Sequence, residues 1–300
     1  MRRPKPVPQM TARQFEDMFP DEEACKTYLM KRRWPEGVRC ARCWNEKVFP
    51  VGSMPFKWQC YKCAPGSGYR FSVIAGTIFE NTNKPLRDWF RVVHLMLASK
   101  KGMSALQIQR MLGFGSYETA LSMCHKIRAA LIEPEAKLGG IVEVDETWIG
   151  GKDKNKHWDK RSGAGGGAGS GKIPVIGAVS RKGNVVTRVL RHVTREAVER
   201  FVAETVSNKV SLLASDESGA YRYLGKNFPH FAVKHRDGQY VVGAVHTNTI
   251  EGFWSIFKRG IVGSFHKVSA KYMPLYVAEF QFRYNNRHNP DIFGEAIAGC

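Results

Sequence analysis

The chain has 300 residues, 43% of them hydrophobic, which is enough for two domains or one large domain with an appendage. Lys and Arg number 46 against 27 Asp and Glu, a formal charge of +19 that points to a polyanionic partner, nucleic acid ahead of membrane. The opening residues lack the apolar core of a secretory signal, and no run approaches the ~18 apolar residues of a membrane span, so neither export nor membrane insertion is expected.

A cytoplasmic, nucleoid-associated protein is the simplest expectation, and there seven cysteines favour metal or free thiols over disulfides. Four of them form "CARC" and "CYKC": Cys40, Cys43, Cys60 and Cys63, two C-x2-C knuckles with a 16-residue gap. Each knuckle turns two thiolates toward one point, and two knuckles complete a tetrahedral set for Zn²⁺. With all four positions filled by sulfur, such a site is structural, and its metal supplies folding energy that so small a module lacks. Arg39, Arg42, Lys57, Lys62 and Arg70 surround it, as suits a DNA-contacting zinc ribbon. Cys25, Cys124 and Cys300 have no partner motif and read as packing or exposed thiols. The run "FSVIAGTIF" after the ribbon reads as a strand completing it.

"KPLRDWFRVVHLMLASK" predicts a helix, with Pro85 near its start and Leu86, Trp89, Phe90, Val93 and Leu97 at helical spacing. Beyond it, helices over 104–112 and 116–131 are expected, capped by Ser104 and Ser116 and separated by a turn at Gly113 to Gly115. This is a helix-turn-helix outline, in which the second helix presents Tyr117, His125, Lys126 and Arg128 to a groove or to phosphates.

"GGIVEVDETWIGGK" predicts a strand bounded by glycines. Alternation puts Ile141, Glu143, Asp145 and Thr147 on one face, and Val142, Val144, Glu146 and Trp148 on the other. A carboxylate in such surroundings is costly unless paired or bound to a metal. "GAGGGAGSGKIP" imitates a phosphate loop, but Ile173 stands where Ser or Thr should hold Mg²⁺ and no strand leads in, so residues 163–171 read as a surface loop.

Next come a hairpin turning at Lys182-Gly183-Asn184, an amphipathic helix with Ala197, Val198, Phe201 and Val202 inward, a short strand ending at Asp216, and a strand "HFAVKHR". The helix "HTNTIEGFWSIFKRGIVG" has an apolar stripe of Ile250, Phe253, Phe257 and Ile261, and a neighbouring face of Asn248, Glu251, Ser255 and Lys258. Three strands, a helix, a strand, then strand and helix is the RNase H-like order. In that fold the first and fourth strands are neighbours, so Asp145 and Asp216 meet. With Glu251 they offer three hard oxygen donors suited to two Mg²⁺ (or Mn²⁺) ions. Glu146, facing away, reads as structural.

The stretches "CARC…CYKC", "FSVIAGTIFENTNKPLRDWF", "VEVDETWIGGK", "ASDESGAY", "HTNTIEGFWSIFKRGIVGSFHKVS" and "EFQFRYNNR" resemble, in order, those of bacterial insertion-sequence DDE transposases of the zinc-ribbon group related to the eukaryotic Merlin transposons. The resemblance implies that Asp145, Asp216 and Glu251 are the catalytic acids. It implies that Lys258, with Arg259 beside it, lies on DNA near the cleaved end. Asn248, sharing the face of Glu251, reads as holding a metal-bound water or contacting DNA. The resemblance further implies double-stranded DNA partners, namely terminal inverted repeats and a target, with cleavage followed by strand transfer by protomers paired on two ends. The expected layout is α/β, an RNase H-like core at 139–300 with a C-terminal helix, preceded by a zinc ribbon within 1–83 and a helix-turn-helix-like region at 84–138. The rival reading is a zinc-dependent DNA-binding protein without catalysis.

Overall fold

The computed structural model describes residues 10–134, 136–151, 155, 157–161, 163, 170–216, 219–233 and 246–300. The expected loop at 163–171 lies largely outside these residues, as does the end of the strand expected at 230–236. The chain divides into two units, Met1–Leu131 with Arg287–Cys300, and Ile132–Asn286. Arg287–Cys300, expected to go with the catalytic half at 139–300, falls in the first unit.

In the first unit, α1 (Ala12–Met18) opens with a reciprocal capping box between Thr11 and Gln14. The Asp21 side chain caps α2 (Glu22–Arg33), whose acids lie in its first turn and bases in its last, as the helix dipole favours. Three short antiparallel strands follow in the order β1 (Phe49–Pro50), β2 (Lys57–Cys60) and β3 (Tyr69–Ser72). The ring of Trp34, at the end of α2, packs on Trp58 and Phe71, and the Arg33 guanidinium donates to the carbonyls of Val73 and Ala75. Of the expected strand at 71–79 only Phe71 and Ser72 pair. The rest turns through Gly76 at φ 73° and buries Val73, Ala75 and Phe79.

The amphipathic α3 (Leu86–Ala98) has Pro85 at its N-cap, which gives no side-chain cap. Glu22 supplies one from α2, its carboxylate accepting the Leu86 and Arg87 amides at 3.0 and 3.1 Å. The next pair matches expectation closely. α4 (Ala105–Leu112) is capped by Ser104, Gly113 takes the left-handed conformation at φ 68°, and Ser116 caps α5 (Tyr117–Ala130).

The second unit is built on a five-stranded sheet. It consists of β4 (Ile141–Ile149), β5 (Ile173–Ser180), β6 (Val185–Val189), β7 (Leu212–Asp216) and β8 (His230–Val233), in the order β6-β5-β4-β7-β8. The β4–β5–β6 meander is antiparallel, and β7 and β8 run parallel to β4. The first and fourth strands of this unit are thus neighbours. The hairpin turns where expected, with Lys182 at φ 61°.

On one face of the sheet, Val142, Val144, Ile176 and Ala178 pack against Val198, Phe201 and Val202 of α6 (Arg195–Thr205). On the other, Val175 and Val179 pack under α7 (Asn248–Gly260) and α8 (Met273–Asn285). The stripe Ile250, Phe253, Phe257 and Ile261 is buried as read, at about 1.5–3 kcal/mol for each large side chain. α7 runs on into a π-helical turn at Ile261–Phe265, which its sequence does not announce. In the first unit, α9 (Ile292–Gly299) sets Phe293 among Phe15, Phe19 and Phe90, with ring centroids 5.5–6.2 Å away.

Candidate functional site

The two knuckles bring all four sulfurs together. Cys40 and Cys63 are 3.7 Å apart, Cys43 and Cys60 3.8 Å, and all four lie within 4.8 Å of one another. A tetrahedron with Zn–S bonds of ~2.3 Å has sulfur–sulfur edges of about 3.8 Å, so the set fits zinc without rearrangement. Against the desolvation that raises it, the Cys63 amide and the Cys40 and Cys43 thiols bring the Cys60 thiol down to about 6, while the hydrogen bond with Cys43 and burial push Cys63 up to about 12, so the crowded sulfurs favour one thiolate among them. Of the other cysteines, Cys25 and Cys124 are buried packing residues.

The acids of the second unit converge where β4 passes the end of β7. Pairing places Glu143 opposite Ala214; two residues on, the same alternation sets Asp145 beside Asp216 on one face. Beyond Glu143 that edge of β4 has no partner in β7, so Glu146 reaches the same space from the other face. The carboxylates of Asp145, Glu146 and Asp216 lie within 4.8 Å of one another, and the buried Tyr221 hydroxyl donates to Glu146.

Burial raises the Asp145 carboxyl to about 7, with the charges of Glu146, Asp216 and Glu251 adding to it. Burial and Asp216 raise Glu146 too, against the Tyr221 hydrogen bond. Three crowded oxygen donors at this charge density suit a hard divalent cation such as Mg²⁺ or Mn²⁺. Sequence reasoning set Glu146 aside because strict alternation turns it away. What it missed was that β4 and β7 stop pairing after Glu143 and Ala214, and no local signal carries that.

Glu251 lies on the exposed face of α7, outside that group of three but close enough for its charge to reach Asp145. The Thr247 hydroxyl donates to Glu251 Oε1 at 2.8 Å. Asn248, Lys258 and Arg259 are exposed on the same helix, and Arg259 Nε donates to the Ser255 carbonyl. Lys126 is exposed on α5, with its Nζ 5.9 Å from the Trp89 ring centre.

Arg128 corrects the sequence reading. It is only 1% exposed, because it falls one residue after Ile127 on the inward side of α5, and it faces no groove. Arg283 is ion-paired to the buried Glu279 at 3.3 Å and lies over Phe280, both one turn back on α8. A further buried acid, Glu143, was not singled out in the sequence. It is fully buried and accepts Arg181 Nε at 2.7 Å.

Together these features define a protein of two functional parts, a four-cysteine ribbon with capped helices and an α/β unit holding a cation-suited acidic site. Comparison with known families makes the class more particular. Residues 137–285 match the ISXO2-like transposase domain and residues 20–65 the transposase zinc-ribbon domain, so the chain carries a transposase domain preceded by a zinc ribbon. It is 28% identical over 277 residues to an uncharacterized protein in transposable element ISH50 of Halobacterium salinarum, covering 88% of this chain and 91% of that one. No solved structure matches the chain. Among the described residues, no helix is long and apolar enough to cross a membrane.

Proposed function

We propose that the protein is the transposase of an insertion sequence. It binds the element's terminal inverted repeats, cuts there, and joins the freed 3′ ends to target DNA. The observation that carries this reading is the gathering of Asp145, Glu146 and Asp216 where the middle of β4 passes the end of β7, and the strand order β6-β5-β4-β7-β8 supports an RNase H-like core. Kinship with the Merlin transposons belongs to the same proposal and rests on the sequence motifs.

Bound divalent ions, two in this reading, would activate a water or 3′-hydroxyl and steady the leaving oxygen. Asp145 and Asp216 hold that charge from the sheet and Glu251 from α7, while Glu146, fixed by Tyr221, closes the same pocket. Lys258, Arg259 and Asn248 share the exposed side of α7 with Glu251, where they meet phosphates next to the scissile bond. Zinc at the four cysteines is structural. The ribbon and the α4–α5 pair bind double-stranded DNA, Lys126 among the contacts, with affinity falling steeply as salt rises. Protomers act in pairs, one on each element end.

The test is a cleavage and strand-transfer assay with the element's own ends and Mg²⁺ or Mn²⁺, run beside Glu251→Gln. Metal-dependent nicking and joining that the variant loses by ~10²- to 10³-fold is the expected result. Tight binding of the ends without cleavage under either metal would instead leave a DNA-binding protein without chemistry.

A further inference from the structure

We propose that Glu143 is a positioning residue for Glu251, a helix cap delivered to α7 from the sheet. The inference rests on the reading of Asp145, Asp216 and Glu251 as the working acids.

The first amides of a helix have no partner within it, and an N-cap side chain ordinarily takes those of the second and third residues. At α7 the N-cap is Thr247, yet its side chain makes no capping bond. The two amides it would take, those of Thr249 and Ile250, go instead to Glu143 Oε2 at 2.8 and 3.1 Å. The Thr249 hydroxyl donates to Glu143 Oε1 at 2.9 Å. Relieved of capping, the Thr247 hydroxyl is spent on Glu251 Oε1 at 2.8 Å. Thr247 is 2% exposed, so water does not compete for it.

An ionised carboxylate at full burial is costly, and a buried ion pair replaced as a whole by well-packed apolar side chains is often no less stable. Its retention makes sense as geometry. Glu143 stands two residues before Asp145 on the same face of β4, so the strand that carries the first acid also grips the helix that carries the third. Arg181, in the β5–β6 turn, closes the grip. Its Nε donates to Glu143 at 2.7 Å, another guanidinium nitrogen to the His246 carbonyl at 3.0 Å, and its own amide to the Ile141 carbonyl at 2.9 Å. Strand, turn and helix start are thus locked around one buried carboxylate, and the spacing between Asp145 and Glu251 is set by it.

Two variants of the full-length, zinc-loaded protein test this: Glu143→Gln, which keeps the shape but turns an acceptor into a donor, and Thr247→Val, which keeps the cap and removes the link to Glu251. Hydrogen exchange of the Thr249 and Ile250 amides, measured without added divalent ions, reads the cap alone. Calorimetric titration with Mn²⁺ reads its consequence, and thermal unfolding reads stability.

Glu143→Gln is expected to speed exchange at both amides by ~10-fold or more. Both variants are expected to weaken Mn²⁺ binding by ~10- to 100-fold, the usual effect of removing a group that orients a ligand. Thr247→Val should do so with exchange and melting temperature near those of the unaltered protein, which a purely structural role does not produce. Unchanged Mn²⁺ affinity in Thr247→Val overturns the proposal, even if Glu143→Gln fails to fold. So does unchanged amide exchange in Glu143→Gln. If the unaltered protein takes up no Mn²⁺, the reading of the acids fails first and the positioning role falls with it, while the exchange data still report whether the cap exists.

Discussion

Asp145 is a carboxyl group held where its charge is unwelcome. Burial and three acidic neighbours lift it from its ordinary 3.8 to about 7. The folded state therefore holds the proton more tightly than the unfolded chain, and this favours folding only while the group is protonated. Without divalent ions, stability is lost as pH climbs from about 4 to about 7 and then levels. Asp145→Asn, which cannot ionise, should lose this slope and be the more stable protein at pH 8, by roughly 1–3 kcal/mol after allowance for solvent screening. Thermal unfolding of both proteins across pH 4–8, with zinc kept and Mg²⁺ withheld, checks this; parallel profiles would refute it. Bound Mg²⁺ or Mn²⁺ should flatten the unaltered protein's profile above pH 6, because the ion replaces the proton.

The elements meet closely where α7 crosses β5. Gly177 pairs with Asp145 across the β4–β5 ladder, and a Cβ placed on it would stand 2.7 Å from Trp254 Cζ2 and 3.2 Å from Ile250 Cδ1. The glycine is there to let the Trp254 indole lie on the strand. Gly177→Ala should push α7 off the sheet and cost ~1–3 kcal/mol, read as a lowered denaturation midpoint. Adding Trp254→Leu should recover part of that loss, and strictly additive effects would show that the two side chains do not collide.

Much of this level was legible in sequence. Ser104, Gly113 and Ser116 are local signals that need no tertiary context, and the Ile250–Phe253–Phe257–Ile261 stripe and the alternation of β4 follow from periodicity alone. What stayed hidden is long-range. Glu143 meets Thr249 across 106 positions, and Tyr221 meets Glu146 across 75. Arg128 looked like a phosphate ligand because charge says nothing of which side of a helix is covered. α2 was missed because it buries only Cys25 and Leu29 and has no stripe to read. Glu22 repeats, at the start of α3, what Glu143 does at the start of α7: a carboxylate from another element does the capping, and neighbouring residues in sequence do not reveal it.

At the scale of the whole molecule, the division into Met1–Leu131 with Arg287–Cys300 and Ile132–Asn286 separates two sources of stability. The ribbon's strands are two to four residues long and depend on the cysteine cluster, whereas the five-stranded sheet has apolar cores on both faces. Stripping zinc with a strong chelator should therefore unfold the ribbon and abolish binding to the element's ends while the sheet keeps its own cooperative transition. Far-UV circular dichroism and amide exchange follow the two separately. A single transition lost all at once on chelation would contradict it.

The β4–β5 ladder has one more consequence. Its register is closed on both sides of residues 150–172, by Trp148 opposite Pro174 and Ile149 opposite Ile173. The alignment that seats Asp145 against Gly177 is thus dictated by the strands, whatever joins them. A slip of one residue along β4 would turn Asp145 to the other face of the sheet. The eight pairs from Val142 opposite Ser180 to Ile149 opposite Ile173 therefore serve as the ruler by which the acids are placed.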